Sequence, residues 1–175
     1  MTNLYKLVVT GAFNAGKSTF VKTVSGIDPV NTDKSTQSPS EKKIKAATTV
    51  ALDYGKVKIN QRSAVHLFGT PGQDRFDFMR EILAEHMHGF IFLVDSTDRW
   101  RLNQAGELLR MFQRQKNVPH LLVANKADQK GLSSEEIRQA LKLPGRQPIV
   151  PCVATDKKSV QAVVEQLISM IEDTA

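Results

Sequence analysis

The segment 11-GAFNAGKS-18 constrains the fold of this chain more than any other part of the sequence. It follows the apolar stretch 4-LYKLVVT-10 and precedes a predicted helix from about Lys17 to Gly26, so it matches G-x-x-x-x-G-K-[ST] in the strand–loop–helix setting that this motif requires. Loops of this kind present backbone N–H groups at the positive end of a helix, where they bind phosphate. The sequence therefore predicts a P-loop that binds a nucleotide.

Each part of this loop has a predicted task at the phosphates. The backbone N–H groups of residues 14 to 18 would surround the β-phosphate, while Gly11 and Gly16 would let the backbone approach it closely. Lys17 would place a point charge beside the β- and γ-phosphates, and the Ser18 hydroxyl would bind Mg²⁺. The predicted phosphate-binding residues are Gly11, Asn14, Ala15, Gly16, Lys17, Ser18 and Thr19.

Apolar runs and helical patterns alternate along the chain, which predicts an α/β fold with a mostly parallel sheet and helices on both faces. Continuous apolar runs such as 90-FIFLV-94 and 121-LLVA-124 are typical of strands buried on both faces. Three later segments have apolar residues at helical spacing, and core packing explains all three. They begin at Leu102, at Ile137 after the capping-box pattern 133-SSEE-136, and at Val160. We expect a single domain over residues 1–175.

The segment after the first predicted helix has a different composition. From Asp28 to Lys45 it is rich in Ser, Thr, Lys and Pro, which predicts a long mobile loop. After it, 49-TVALDYGKVKI-59 is predicted to be a hairpin with Gly55 at the turn. Thr49 would close on Mg²⁺ and the γ-phosphate, although β-propensity alone also explains a threonine that enters a strand.

The tetrapeptide 125-NKAD-128 follows the predicted strand 121-LLVA-124 directly, and this placement predicts a reader of guanine. Asn125 would bond the base edge, and Lys126 would lie over the base and ribose. The Asp128 carboxylate would accept hydrogen bonds from N1–H and the 2-amino group of guanine. Adenine lacks both donors, so it would leave a carboxylate unpaired.

Two further loops complete the predicted site. In 65-VHLFGTPGQDRF-76, Gly72 would offer its backbone N–H to the γ-phosphate and Gln73 would orient the attacking water, unless Gln73 is an ordinary solvated loop residue. In 151-PCVATD-156, the backbone N–H of Ala154 would bind guanine O6. The predicted catalytic residues are Gln73, Lys17 and Thr49, and the predicted metal ligands are Ser18 and Thr49.

Composition argues against several other classes of protein. The net charge of +6 comes from scattered basic residues, with one cluster at 42-KKIK-45, so a solvated basic surface explains it and no nucleic-acid partner is predicted. The longest apolar run, 90-FIFLV-94, is too short to cross a bilayer, and neither terminus has a signal-peptide or lipidation pattern. A lone Cys152 fits a reducing compartment. We therefore expect a cytoplasmic protein without a direct membrane anchor.

In this order, the motifs resemble those of the Ras-like small GTPases over nearly the whole chain. The segments 67-LFGTPGQDRF-76 and 48-TTVALDYG-55 look more closely like the prokaryotic MglA-like GTPases, some of which have Roadblock-domain proteins as regulators. The resemblance implies a P-loop NTPase of the Ras-like G-domain type, with a six-stranded sheet and five helices. It also implies a GTP/GDP cycle that moves two switch loops, a protein regulator or effector, and a monomer in isolation.

The chain departs from this family's pattern at three positions. Gly69 stands where the motif D-x-x-G has an Asp that holds Mg²⁺ through water, and Phe13 and Asn14 stand where many relatives have glycines. Since that Asp does not touch the metal directly, its loss should weaken Mg²⁺ binding by about 10–100-fold rather than abolish it. The large side chain of Phe13 would crowd Gln73 or an incoming arginine finger, which predicts slow intrinsic hydrolysis.

These observations favour a GTP-binding switch with slow, Mg²⁺-dependent and partner-stimulated hydrolysis that regulates polarity, motility or signalling. The alternative is a pseudo-GTPase scaffold that holds a guanine nucleotide without hydrolysing it. A small P-loop kinase would leave 125-NKAD-128 unexplained.

Overall fold

The computed structural model describes residues 2–25, 53–70, 77–115, 117–144 and 147–175. Its strands are β1 (Asn3–Gly11), β2 (Asp53–Asn60), β3 (Ser63–Gly69), β4 (Gly89–Asp95), β5 (His120–Asn125) and β6 (Ile149–Pro151). Within the same ranges its helices are α1 (Lys17–Val24), α2 (Asp77–Ala84), α3 (Arg99–Gln115), α4 (Ser134–Ala140) and α5 (Lys157–Thr174).

The six strands form one sheet in the order β2-β3-β1-β4-β5-β6. Strand β1 pairs in parallel with β3 and β4, β5 pairs in parallel with β4 and β6, and only β2 runs antiparallel, at the edge beside β3. The predicted α/β fold, a mostly parallel six-stranded sheet with helices, is therefore confirmed.

Two apolar clusters lie on opposite faces of the sheet, and β4 contributes to both. Every residue of β4 is buried. Ile91 and Leu93 belong to the cluster that α1 and α5 cover, whereas Phe90 and Phe92 belong to the cluster that α3 and α4 cover. Alternate side chains of a strand point to opposite faces, so a strand covered on both sides needs an unbroken apolar run.

The predicted turn at Gly55 is wrong, because β2 continues through this residue. Gly55 pairs with Leu67 of β3, and the chain reverses after Asn60 instead. A Cβ at Gly55 would lie 3.1 Å from side-chain carbons of Val21 and Ser25. The glycine therefore serves a close approach between β2 and α1 rather than a turn.

The predicted helical segments after β4, β5 and β6 correspond to α3, α4 and α5. The pattern 133-SSEE-136 forms the capping box at the start of α4: Glu136 N donates to Ser133 Oγ, and Ser133 N donates to the Glu136 carboxylate. No helix in the described ranges combines the length and the apolar character needed to cross a membrane.

Candidate functional site

The candidate site lies where the carboxyl ends of three parallel strands meet. Gly11 at the end of β1 is in register with Leu93 of β4, and Asp95 at the end of β4 is in register with Asn125 at the end of β5. The loops that follow these strands therefore open at one edge of the sheet, which is the usual place for ligands in open α/β sheets. Three of the predicted motifs come together here.

Two glycines of the P-loop occupy places where no other residue fits. Gly11 has φ 144° and Gly16 has φ 101°, both in the region that favours glycine. A Cβ at Gly11 would lie 2.1 Å from the Leu93 carbonyl oxygen, and a Cβ at Gly16 would lie 2.2 Å from Asn125 Nδ2. Both glycines let the loop lie directly against β4 and β5. Their close approach to the β-phosphate stays a prediction.

Lys17 is the first residue of α1, and its side chain folds back over the loop. It is only 7% exposed, and its ammonium donates to the carbonyl oxygens of Gly11 at 2.7 Å and Ala12 at 2.8 Å. Gly16, at the position before the helix, has no side chain that could cap the first N–H groups. The ammonium and these N–H groups both carry positive charge in the P-loop region, which suits an anion.

Asn125 joins the P-loop to the loop after β6. It is 3% exposed; its Nδ2 donates to the Ala15 carbonyl oxygen at 3.0 Å, and its Oδ1 accepts from the Ala154 N–H at 2.9 Å. One side chain therefore fixes the phosphate loop relative to the two loops predicted to read the base. The Ala154 N–H already has a protein acceptor, and its contact with guanine O6 stays a prediction.

Lys126 is held by an acid that the sequence motifs did not indicate. Its ammonium lies 2.6 Å from Asp95 Oδ2, while Asp95 Oδ1 accepts from the Thr97 N–H at 2.8 Å and the Thr97 hydroxyl at 2.6 Å. Burial acts to raise the pKa of Asp95, but the bonds from Lys126 and Thr97 outweigh it, so that this pKa lies below its ordinary value. Asp95 therefore stays charged and orients Lys126.

Asp128 lies beyond these buried contacts, on an exposed turn. The turn is closed by a hydrogen bond from the Gln129 N–H to the Lys126 carbonyl oxygen at 2.9 Å. The Ala127 N–H donates to the Cys152 carbonyl oxygen at 3.1 Å, which holds the same turn against the end of β6. The Asp128 carboxylate is thus exposed on an anchored backbone, as a base-reading group requires.

Asp53, at the start of β2, also enters the site without having been predicted. Its Oδ2 accepts a hydrogen bond from the Ser18 hydroxyl, in the first turn of α1. Asp53 lies opposite Gly69 in the antiparallel pair of β2 and β3. No local motif identifies it, because the contact depends on the register of these two strands.

Phe13 lies on the exposed side of the P-loop. It is 48% exposed, and the guanidinium carbon of Arg101, on α3, lies 5.1 Å from the centre of its ring. The same guanidinium lies 5.8 Å from the Trp100 ring. The cation–π contact with Arg101 holds Phe13 toward α3. Its predicted crowding of Gln73 concerns a residue that the structure does not describe.

Four predictions fall on parts of the chain outside the described residues. They are Thr49, Gly72 and Gln73 as site residues, and the loop from Asp28 to Lys45.

A family model described as the ADP-ribosylation factor family matches residues 1–171. ADP-ribosylation factor-like protein 3 of Saccharomyces cerevisiae is 26% identical over 179 residues, covering 96% of this chain and 86% of the relative. Human ADP-ribosylation factor-related protein 1 is 28% identical over 177 residues, covering 95% and 85%. An uncharacterized protein of Methanocaldococcus jannaschii is 29% identical over 132 residues, covering 75% and 76%.

Among solved structures, the chain is similar to the Arl6 BBS3 small GTPase of Trypanosoma brucei, a structure that contains the nucleotide analogue GppNp. The TM-score is 0.75, and the match covers 99% of this chain and 100% of the other. The sequence identity is 21%, so this likeness shows the fold.

Proposed function

The chain belongs to the ADP-ribosylation factor family of small GTPases, which are GTP-binding switch proteins, and on that premise we propose that it hydrolyses GTP slowly with Mg²⁺ and a partner's help. The observation that carries the nucleotide-binding part of this proposal is the double hydrogen bond of Asn125 to Ala15 and Ala154. These two hydrogen bonds fix the position of the phosphate loop relative to the loops proposed to read the base. A ligand with a guanine base and a phosphate chain matches both ends.

At the phosphate end, the P-loop residues would act through charge. Lys17 and the N–H groups that begin α1 would stabilise negative charge as it builds up on the phosphate oxygens during hydrolysis. The binding residues proposed here are the seven of the P-loop, with Gly72 at the γ-phosphate. Gln73 would orient the attacking water.

The residues around α1 also fit a magnesium ion. The Ser18 hydroxyl and the Asp53 carboxylate are oxygen donors of the kind that Mg²⁺ prefers, and the one donates to the other. Ser18 would hold the ion, with Thr49 as the second proposed ligand. When bound, the ion would neutralise charge on the β- and γ-phosphates.

At the base end, discrimination against adenine would come from two side chains. Asp128 would accept from the donors that only guanine carries on this edge, and its exposed position leaves it accessible to a ligand. Lys126, which Asp95 orients through a 2.6 Å ion pair, would cover the base and ribose. Ala154 would contribute its N–H at O6.

Some of the proposal rests on the sequence alone. We propose a cytoplasmic monomer that regulates polarity, motility or signalling. The finer likeness to the MglA-like GTPases points to a Roadblock-domain protein as regulator. Co-purification of the GTP-loaded protein with a Roadblock-domain candidate, compared with the GDP-loaded protein, would test that partner.

Nucleotide competition tests the central binding claim. Unlabelled GTP and GDP should displace fluorescent GDP from the purified protein, whereas ATP should not. The Lys17→Ala variant should lose this binding, because the P-loop would lack its point charge, while Lys22→Ala on the exposed side of α1 should bind as wild type does. Tight GTP binding by Lys17→Ala would remove the P-loop from the proposed site.

A scaffold that holds a guanine nucleotide without hydrolysing it is the alternative. Two observations favour it: Gly69 provides no carboxylate on β3, and Phe13 stands 48% exposed on the P-loop where many relatives have a glycine. Both readings require guanine nucleotide binding, so that only a hydrolysis measurement separates them.

A further inference from the structure

We infer that Asp53 supplies, from β2, the carboxylate that Gly69 does not supply from β3. In this arrangement Asp53 orients Ser18 and strengthens the binding of Mg²⁺ beside the nucleotide. The inference rests on the proposed function, because it concerns the metal that accompanies a bound nucleotide.

The first observation is the position of Asp53 relative to Gly69. The two residues face each other in the antiparallel pair of β2 and β3. A Cβ built on Gly69 would lie 3.0 Å from Asp53 Cβ and 3.4 Å from Asp53 Oδ2. Directly opposite side chains share one face of a sheet, so the Asp53 carboxylate lies in the space that a side chain at position 69 would enter.

The second observation is the hydrogen bond that Asp53 makes. The Ser18 hydroxyl donates to Asp53 Oδ2, across 35 positions of sequence. A hydroxyl has one hydrogen and two lone pairs. Because the hydrogen is directed to Asp53, the lone pairs of Ser18 are left for a cation. An Asp in this place performs the orientation that a hydroxyl ligand needs.

The two observations together also explain the glycine. An Asp at position 69 would bring a second carboxylate against the first, and like charges at this distance oppose each other's ionisation. The 3.0 Å approach of a Cβ at position 69 to Asp53 Cβ is also tighter than an ordinary contact, so Asp53 would have to give by a few tenths of an ångström. Gly69 and Asp53 therefore form one arrangement, in which the carboxylate stands on β2 and not at the paired position on β3.

The test is the dissociation rate of fluorescent GDP, measured over a series of free Mg²⁺ concentrations. In Asp53→Asn, the concentration of Mg²⁺ that slows dissociation should rise by about 10–100-fold, the usual effect of losing a group that orients a metal ligand. The rate in excess EDTA should match wild type, which shows that the nucleotide site is intact. Glu107→Gln, an equal change of charge on the exposed face of α3, should leave the whole curve unchanged.

A carboxylate swap provides the second variant. In Asp53→Gly/Gly69→Asp, the 3.0 Å contact with Asp53 Cβ disappears, and the next atom of the Gly69 surroundings is Val21 Cγ2 at 3.6 Å, an ordinary contact. The swap should recover Mg²⁺ dependence that Asp53→Gly alone loses. If the swapped variant needs as much Mg²⁺ to slow GDP dissociation as Asp53→Gly does, a carboxylate at position 69 cannot replace Asp53. That result would contradict the inference.

The remaining outcomes separate this inference from the proposed function. If Asp53→Asn binds GDP and has the wild-type Mg²⁺ dependence, the role of Asp53 is overturned while the proposed function stands. If the wild-type protein binds no GDP at any Mg²⁺ concentration, both are overturned.

Discussion

At the scale of single residues, the site is a set of side chains that hold one another in place. Asn125 bonds two loops, Asp95 orients Lys126, and Asp53 orients Ser18. Of the predicted base readers, Asp128 alone is exposed on a turn, where a ligand can reach its carboxylate. Selectivity for guanine should therefore depend on this residue more than on its buried neighbours.

Asp128→Asn should exchange guanine selectivity for xanthine selectivity. The amide would offer a donor where the carboxylate accepts two hydrogen bonds, so GDP affinity should fall by about 10–100-fold, the worth of a charged hydrogen bond. Xanthine nucleotides present an acceptor at that edge and should gain. Competition of GDP and XDP against fluorescent GDP measures both changes. Asp173→Asn, far along α5, is the matched control, and unchanged selectivity in Asp128→Asn would exclude Asp128 from base reading.

The residues of the candidate site that could be named from the sequence belong to continuous motifs, whereas those that depend on pairing between strands could not. Gly11, Gly16 and Lys17 stand in one motif whose geometry follows from the loop itself. Asp53 is invisible to such reasoning, because its contact with Ser18 arises from the register of β2 on β3. Asp95 could have been noticed in the sequence, because it is the acidic residue that ends a fully buried strand.

At the scale of secondary-structure elements, the prediction at Gly55 was wrong for a physical reason. A glycine between strand-like segments usually marks a turn, and the sequence gives no means of weighing a helix that packs on the strand. In the folded chain, α1 lies so close to β2 that a Cβ at position 55 would crowd Val21 and Ser25 at 3.1 Å. Tertiary contact, rather than chain reversal, explains this residue.

The capping box of α4 was correctly predicted and gives a local test. Ser133→Ala should lower the free energy of unfolding by about 1 kcal/mol, because the N–H of Glu136 would lose its side-chain acceptor at the helix start. Urea unfolding measures the change. Ser134→Ala alters an exposed neighbour one residue later and should have a much smaller effect. Equal losses in the two variants would mean that the cap contributes nothing specific.

At the scale of the whole molecule, the alternation of apolar runs with helical patterns along the chain was sufficient to predict the fold. A strand such as β4 must be apolar throughout because clusters cover both of its faces. The antiparallel β2 has charged and apolar residues in alternation, at the edge of the sheet, and a turn was wrongly predicted within it. The sequence carries a clear signal where burial is complete and a weak one at the edge.

The pH dependence of global stability should report the Asp95 contacts. The pKa of Asp95 is lower in the folded protein than its ordinary value, so the stability from Lys126 and Thr97 is present above the ordinary pKa and is lost as the pH falls through the folded pKa. Wild type should exceed Asp95→Asn in free energy of unfolding at neutral pH. The difference should narrow below about pH 4.

Urea unfolding of both proteins, from neutral to acid pH, measures this difference. Asp173 is an exposed acid near the end of α5. The free energy of unfolding of Asp173→Asn should have the same pH dependence as that of wild type. A gap between wild type and Asp95→Asn that stays constant into acid would show that these bonds do not favour the charged carboxylate.

The most direct test of the proposed switch is single-turnover hydrolysis of GTP by the purified protein in excess Mg²⁺, beside Gln73→Ala. We expect wild type to convert bound GTP to GDP and phosphate slowly, and the variant to do so more slowly still, because its water would lack an orienting amide. Fluorescent-GDP binding by both proteins confirms that each holds nucleotide. Wild-type protein that retains bound GTP indefinitely would contradict intrinsic hydrolysis and favour the scaffold.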